Sequence, residues 1–307
     1  MHQILVLAID SKEYKKIIKL KNEKIFYTSS AREAKKYIKD ADIILADPPL
    51  IKNILKDAEK LKWFQSTYAG FDALLDIEHK NYTVTGIKDI FGQNMSEYIL
   101  GYILMFERNI LEIHNNQLKQ KWVHKTYSPL DKKTIGIMGL GSIGSQVAKT
   151  AKFFNMRVHG LRNSRKKEKH TDKIFHAKEI EKFVKNLDYL VNILPHTKNT
   201  QYMLTKKLFS KMKNTIFINV GRGSIAKEND IIWALNNKKI KGAVLDVFEE
   251  EPLDKKSKLW KMKNVFITPH NAAYSFPDQI VEIFLDNYHR FKNKKTLKYK
   301  IDFKKNY

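Results

Sequence analysis

The sequence predicts an α/β protein made of two parallel sheets, each flanked by helices, and three observations carry that expectation. The first hundred residues alternate short β-rich runs with amphipathic stretches. A second alternation of the same kind begins at Thr134 and runs to Thr268. Between its first strand-like run and the helix that follows stands a glycine-rich turn, Gly139-Leu140-Gly141-Ser142-Ile143-Gly144. Strands that alternate with helices need crossover connections, and crossovers make neighbouring strands parallel.

The first series reads Ile4–Ala8 as a strand, Tyr14–Leu20 as a helix and Lys24–Tyr27 as a strand. Ala31–Ile38 follows as a helix, Ile43–Ala46 as a strand ending at Asp47-Pro48-Pro49, and Trp63–Ser66 and Tyr82–Thr85 as further strands. An apolar periodicity from Met95 to Lys119 then predicts one long helix, with no proline inside and Gly101 as its single glycine. At that length it is expected to be a spine between domains or a dimer element. The second series gives six strands: Thr134–Met138, Arg157–Leu161, Leu187–Ile193, Thr215–Val220, Lys241–Val247 and Val265–Thr268. Six strands with a glycine-rich first turn make a full Rossmann count. The segment from Ser275 to Phe291 reads as a helix, and the basic tail is expected to pack back on the first domain. The expected division is therefore 1–97 with 281–307, a discontinuous flavodoxin-like substrate domain, and 98–280, the dinucleotide-binding Rossmann domain. The active site is expected in the cleft between them.

A chain of 307 residues with 43% hydrophobic residues can fill two cores. No apolar run is long enough to span a bilayer, and MHQILVLAID enters a strand without a basic region or cleavage site. The absence of cysteine excludes disulfides, thiolate metal sites and cysteine nucleophiles, and a cytoplasmic location fits it most simply. The 57 basic residues against 33 acids give a net charge of +24, which raises nucleic acid as a partner. The lysines are scattered over expected helix exteriors, so a solvated surface is favoured over nucleic-acid binding. The ten histidines form no HExxH pair, so no metal is expected, and a GxSxG elbow is missing.

The glycine-rich turn has the order that phosphate binding needs. Gly139 permits the tight turn, Gly141 lets backbone N–H groups approach a pyrophosphate, and Gly144 lets the helix Ser145–Phe154 pack on the strand. The end of the next strand carries an acid when the cofactor is NAD. Here the run is Leu161-Arg162-Asn163-Ser164-Arg165-Lys166, with no acid before Glu168. A guanidinium grips a 2′-phosphate that a carboxylate repels, so NADP is favoured over NAD. The alternative is that these cations extend the basic surface.

Three polar residues follow strand ends in the second half: Arg222 after IFINVG, Glu251 after LDVFEE and His270 after FITP. Strand ends converge on one crevice in such sheets. Reduction of a 2-keto acid needs a proton donor near neutrality, a carboxylate to orient it and a cation for the substrate carboxylate, and these residue types supply all three. Taken singly, each has an ordinary structural explanation as a turn or surface residue.

The runs INVGRGS (218–224), LDVFEEEPL (245–253) and TPHNAA (268–273), with GLGSIGSQVA (139–148) and NILPHTKNTQYML (192–204), resemble the D-isomer-specific 2-hydroxyacid dehydrogenases over nearly the whole chain. The resemblance implies that His270 is the acid/base, Glu251 its partner and Arg222 the substrate-orienting arginine. It implies that Tyr68-Ala69-Gly70-Phe71-Asp72 is the first-domain loop whose N–H groups around Ala69 and Gly70 hold the substrate carboxylate, with Tyr68 where a small residue is usual. Cofactor contacts are implied at Ser142, Ile143, Pro195, Thr197, Val220 and Asp246, and Arg162, Asn163, Ser164 and Arg165 join them on the 2′ side. The stretch MSEYILGYILMFER (95–108) and that basic cluster look like the NADPH-preferring glyoxylate/hydroxypyruvate reductases, with a homodimer as the expected assembly. The alternatives are an NAD-linked dehydrogenase of the phosphoglycerate or lactate type, and a dinucleotide-sensing corepressor-like protein.

Overall fold

A computed structural model of the chain describes residues 1–70, 72–74, 81–164 and 166–301. The chain divides into two compact units, Met1–Ile90 with Ser275–Tyr307, and Phe91–Tyr274.

The first unit holds a five-stranded sheet: β1 (Gln3–Leu7), β2 (Lys24–Thr28), β3 (Ile43–Ala46), β4 (Trp63–Ser66) and β5 (Thr83–Thr85). Its order is β2-β1-β3-β4-β5 and every pairing is parallel, which is the flavodoxin-like arrangement. β3 and β4 are buried along their whole length, as strands covered on both faces must be. Helices α1 (Ser11–Ile17), α2 (Ala31–Ala34) and α3 (Pro48–Ile51) connect the early strands.

The tail returns to this unit, as expected. Ile301 N–H donates to the Val84 carbonyl, Gly86 N–H donates to the Tyr299 carbonyl, and an antiparallel bridge pairs Thr85 with Lys300. A fully buried polar network explains the attachment. Gln65 Nε2 donates to the Ser66 and Gly86 carbonyls, while its Oε1 accepts from Thr85 Oγ1 and from Asn287 Nδ2. Asn287 lies on the late helix Pro277–Lys292, and its Oδ1 accepts from Lys298 N–H. Trp63 stacks on Phe284 and Phe291 of the same helix, with centroids 5.2 and 5.6 Å away.

The second unit carries a seven-stranded parallel sheet of β6 (Thr134–Met138), β7 (Arg157–Arg162), β8 (Lys173–His176), β9 (Tyr189–Asn192), β10 (Thr215–Asn219), β11 (Ile240–Leu245) and β12 (Val265–Ile267). The order is β12-β11-β10-β9-β6-β7-β8. The expected six strands become seven because Lys173–His176 also pairs, at the edge beside β7. That strand is half-exposed and begins with a lysine, so no apolar run marks it.

Helices α4 (Phe91–Glu107) and α5 (Ile110–Leu118) replace the single expected helix. Asn109 between them adopts φ 52°, a left-handed conformation that asparagine tolerates and that ends a helix. Met95, Ile99, Leu100 and Ile103 of α4 bury against Val147, Ala148 and Ala151 of α6 (Ser142–Phe153), over one face of the sheet. Glu107 closes α4 in a buried position, accepting from the Tyr189 hydroxyl and pairing with Lys133 at 3.3 Å. No residue of α5 is buried, so no core holds it in line with α4. Helices α7 (Ile180–Phe183), α8 (Lys206–Phe209) and α9 (Glu228–Asn236) belong to the opposite face of the sheet, and α10 (Pro277–Lys292) returns to the first unit.

The unit boundaries fall at 90/91 and 274/275 instead of 97/98 and 280/281. The first shift has a packing cause: Gly92, in the first turn of α4, already lies against Gln146 of α6, where a Cβ would meet the Gln146 Cβ at 2.9 Å. The second places Phe276 and all of α10 with the first unit.

Removing the Asn287 amide leaves the Lys298 N–H without its acceptor and strips one donor from Gln65. Asn287→Ala is expected to lower the stability of the first unit by about 2 kcal/mol. Urea denaturation followed by tryptophan fluorescence measures it, and an unchanged midpoint would remove the network from its anchoring role.

Candidate active site

The turn after β6 is built by steric necessity. Gly139 has φ +100°, and its N–H donates to the Leu161 carbonyl of β7. At Gly144 a Cβ would stand 1.9 Å from the Gly139 carbonyl oxygen, so no side chain fits there. At Gly141, the N-cap of α6, a Cβ would meet nothing within 4 Å. Gly141 and Ser142 are exposed and Ile143 is half-exposed, so the first N–H groups of α6 face open space, with no acid in the first turn. A pyrophosphate fits this end: the free amide donors and the helix dipole both favour an anion.

β7 ends at Arg162, whose Nη1 donates at the long distance of 3.4 Å to the Lys166 carbonyl. Asn163 and Ser164 are exposed beside it. Arg165 lies outside the described residues. The first acid after the strand, Glu168, is engaged by Ser145 Oγ of α6 at 2.9 Å.

The loops after β9 and β10 are tied together by two buried amides. Asn192 Nδ2 donates to Asn219 Oδ1 at 2.9 Å, and Asn219 Nδ2 donates to the Arg222 carbonyl at 3.1 Å. Asn192 Oδ1 accepts from Leu194 N–H, at the start of the loop that carries Pro195 and Thr197. There Thr200 Oγ1 accepts from Thr197 N–H and donates to the Pro195 carbonyl. Val220 is buried, and its N–H donates to the Asn192 carbonyl. Sequence reasoning passed over this asparagine pair, although a polar residue ending an otherwise apolar strand was the available signal.

The expected trio meets in one place. His270 Nδ1 lies 2.7 Å from Glu251 Oε2, and Glu251 Oε1 accepts from Phe248 N–H at 3.0 Å. His270 sits at φ 52°, and its N–H donates to the Asp246 carbonyl. A left-handed histidine is held there by its surroundings, as strained residues at functional sites commonly are. Arg222 is half-buried, and its Nη1 donates to the Gly221 carbonyl at 2.8 Å.

Electrostatics pull the pair in opposite directions. The Glu251 hydrogen bond pushes the His270 pKa above its ordinary value of 6.5, against burial and the Arg222 charge. Burial disfavours the Glu251 charge, but the His270 hydrogen bond, the Phe248 N–H and the charges of His270 and Arg222 outweigh it and hold the carboxyl below 4.5. With Nδ1–H committed to the carboxylate, Nε2 is the nitrogen left to exchange a proton.

Asp246, expected among the cofactor contacts, is buried and accepts from the loop around His270. Its Oδ1 takes hydrogen bonds from Thr268 Oγ1 and Asn271 N–H, and its Oδ2 takes one from Ala272 N–H.

In the first unit, Tyr68-Ala69-Gly70 follows β4 at the carboxyl end of its sheet. Tyr68 N–H donates to Ser66 Oγ, which donates in turn to the Tyr68 carbonyl. Burial, with the charges of Asp47 and Asp10, raises the Tyr68 pKa. Phe71 and the Asp72 side chain lie outside the described residues. The described residues contain no group of metal-ligating side chains, and no helix among them is long and apolar enough to cross a membrane.

A glycine-rich turn against a helix N-terminus, with a histidine–carboxylate pair and an arginine after neighbouring strands, defines a dinucleotide-dependent oxidoreductase. The family model described as D-isomer specific 2-hydroxyacid dehydrogenase, NAD binding domain, matches residues 100–272. The chain belongs to that family, whose members are NAD(P)-dependent enzymes acting on a CH–OH group. A glyoxylate reductase of Pyrococcus horikoshii is 32% identical over 250 residues, covering 77% of this chain and 74% of that protein. A solved D-isomer specific 2-hydroxyacid dehydrogenase family protein of Aeromonas salmonicida is 38% identical, with a TM-score of 0.95 over 98% of this chain and 99% of that one. A protein of Rhizobium etli described as "probable 2-hydroxyacid dehydrogenase", solved with NADP, HEPES and L(+)-tartaric acid, is 26% identical, with a TM-score of 0.86 over 100% of this chain and 99% of that one.

The two shifted pKa values set a pH window. A raised histidine pKa stabilises the fold below pH 6.5, and the contribution is lost as pH rises through the folded value. A lowered carboxyl pKa stabilises it above pH 4.5, and the contribution is lost as pH falls through the folded value. The pair therefore contributes fully between pH 4.5 and 6.5. The expected outcome is a His270 midpoint above 6.5 by NMR titration, falling below 6.5 in Glu251→Gln because burial and Arg222 then dominate. A midpoint unmoved by that substitution would break the assigned coupling.

Proposed function

We propose that this protein reduces a small 2-keto acid, such as glyoxylate or hydroxypyruvate, to the D-2-hydroxy acid, with NADPH preferred over NADH. The observation that carries the reading is the 2.7 Å contact between His270 Nδ1 and Glu251 Oε2, with the Arg222 charge acting on both partners.

A bound reduced nicotinamide supplies the hydride for the carbonyl carbon. His270 Nε2 gives its proton to the carbonyl oxygen as charge develops there, and Glu251 stabilises the imidazolium from which that proton leaves. Arg222 holds the substrate carboxylate and polarises the carbonyl. The N–H groups of Ala69 and Gly70 are assigned to the same carboxylate, and Tyr68 to the wall that limits substrate size. On the cofactor, Gly139, Gly141, Ser142, Ile143 and Gly144 face the pyrophosphate. Pro195, Thr197 and Val220 are assigned along the dinucleotide, and Asp246 beside its nicotinamide end. Arg162, Asn163, Ser164 and Arg165 are assigned to the 2′-phosphate. The lack of a carboxylate at the end of β7 supports NADPH, as does the NADP bound by the Rhizobium etli relative. The proton-transfer pair favours an enzyme over a dinucleotide-sensing interaction protein.

Assembly as a homodimer is part of this reading. Ile110, Leu111, Ile113 and Leu118 of α5 are exposed, followed by exposed Trp122, Val123 and Tyr127. Seven large apolar side chains exposed along one stretch of a monomer call for a covering surface. Light scattering is expected to give twice the mass of the chain, and Leu111→Glu/Ile113→Glu to give the single mass. A monomeric wild type would refute it.

Absorbance loss at the nicotinamide band on a keto-acid panel tests the reaction. NADPH is expected to outperform NADH, and His270→Ala to lower turnover by roughly 100-fold to 10,000-fold with NADPH binding retained. Equal or better turnover with NADH would overturn the role given to Arg162.

A further inference from the structure

One face of α4 carries Tyr98, Tyr102 and Phe106 at four-residue spacing, so the three rings stand in a row. Phe106 and Tyr102 pack on Phe266 of β12, with centroids 5.3 and 5.9 Å away. The third ring, Tyr98, reaches past the strand end. Its hydroxyl lies 2.6 Å from Thr268 Oγ1, and Thr268 Oγ1 lies 2.6 Å from Asp246 Oδ1. The Tyr98 and Tyr102 rings lie against each other, with centroids 4.8 Å apart.

Chemistry fixes the direction of this chain. A carboxylate only accepts, so the Thr268 proton points to Asp246. The Thr268 oxygen then accepts the proton of Tyr98. A one-way chain ending on an anion polarises each bond along it. At its end, Asp246 holds the N–H groups of Asn271 and Ala272 through its carboxylate and that of His270 through its carbonyl. Three successive backbone donors around the strained histidine thus converge on one buried residue.

We propose that Tyr98 is a positioning residue for His270, acting through Thr268 and Asp246 to hold the histidine loop in its left-handed conformation. The proposal rests on the assignment of His270 as the acid in keto-acid reduction. Without the hydroxyl of Tyr98, Thr268 loses the donor that fixes its rotor, Asp246 loses a polarised partner, and the loop is free to relax from φ 52°. The Nδ1 contact with Glu251 then loses its alignment. The charged groups that face His270 are Glu251, Arg222 and Asp246, so its titration reports on the same geometry.

The test uses the full-length protein with Tyr98→Phe, Thr268→Val, the double variant and Thr268→Ser. Tyr98→Phe keeps the ring and its packing. It is expected to lower kcat by about tenfold, leave the KM and the NADPH Kd within about twofold, and move the His270 NMR midpoint downward. Thr268→Val should match it, the double variant should be no worse than Thr268→Val, and Thr268→Ser should restore kcat and the midpoint. Should Tyr98→Phe fail to fold, the Thr268→Val and Thr268→Ser pair decides alone. A His270 midpoint unchanged in Tyr98→Phe, or losses that multiply in the double variant, would overturn the proposal. The titration needs no turnover, so failure of the relay is distinguished from failure of the keto-acid reading, in which the wild type itself reduces nothing on the panel.

Discussion

The contact between Gly144 and the Gly139 carbonyl leaves no room for a single carbon atom, and the dinucleotide half is organised around it. Because helix and turn touch at that point, the first amides of α6 are held at the mouth of the sheet. The buried face of α6 then offers Val147, Ala148 and Ala151 to α4, which packs along it from Gly92 onward. α4 in turn lays its aromatic row against β12 and brings Tyr98 to Thr268. The glycine-rich turn and the histidine loop follow different strands, yet one line of packing runs from the first to the second. Small residues at two crossings, Gly92 and Gly144, make that line possible.

The sequence made the central strands legible because they are buried on both faces. Ile43–Ala46, Trp63–Ser66 and Thr134–Met138 have the same limits in structure and expectation, and every residue in them is buried. β8 was missed because an edge strand buries one residue in four here and needs no such run. The break at Asn109 was missed for a related reason. Periodicity reports which side chains share a face, and Ile110, Leu111 and Ile113 continue the apolar character of α4 although no core receives them. An apolar pattern shows that a surface must be covered, but it does not say by what.

The site was legible where residues stand after strand ends, and less so where they act through the backbone. His270 and Glu251 were readable as a pair because parallel strands bring their carboxyl ends to one edge. Asp246 was assigned by resemblance to the cofactor, while its visible side-chain contacts are to the Thr268 hydroxyl before His270 and the Asn271 and Ala272 N–H groups after it. Asn192 and Asn219 went unassigned, yet they set the path of the chain into Arg222. In each case a short polar side chain satisfies main-chain groups of a distant loop, and such pairings leave no spacing in the sequence. Lysine ion pairs such as Lys16–Glu13 and Lys60–Asp40 lie at the surface, where they contribute little.

The attachment of α10 to the first unit has a consequence for synthesis. The strands β1 to β5 emerge early from the ribosome, but Trp63 lacks its stacking partner and Gln65 one of its amide donors until Phe284 and Asn287 have been made. The second unit is continuous and encloses its own core, so nothing delays its closure. Domains that fold as units do so when their last segment is available. The half that is translated first is therefore completed last, and the nascent chain carries an unfinished sheet while the dinucleotide half folds behind it.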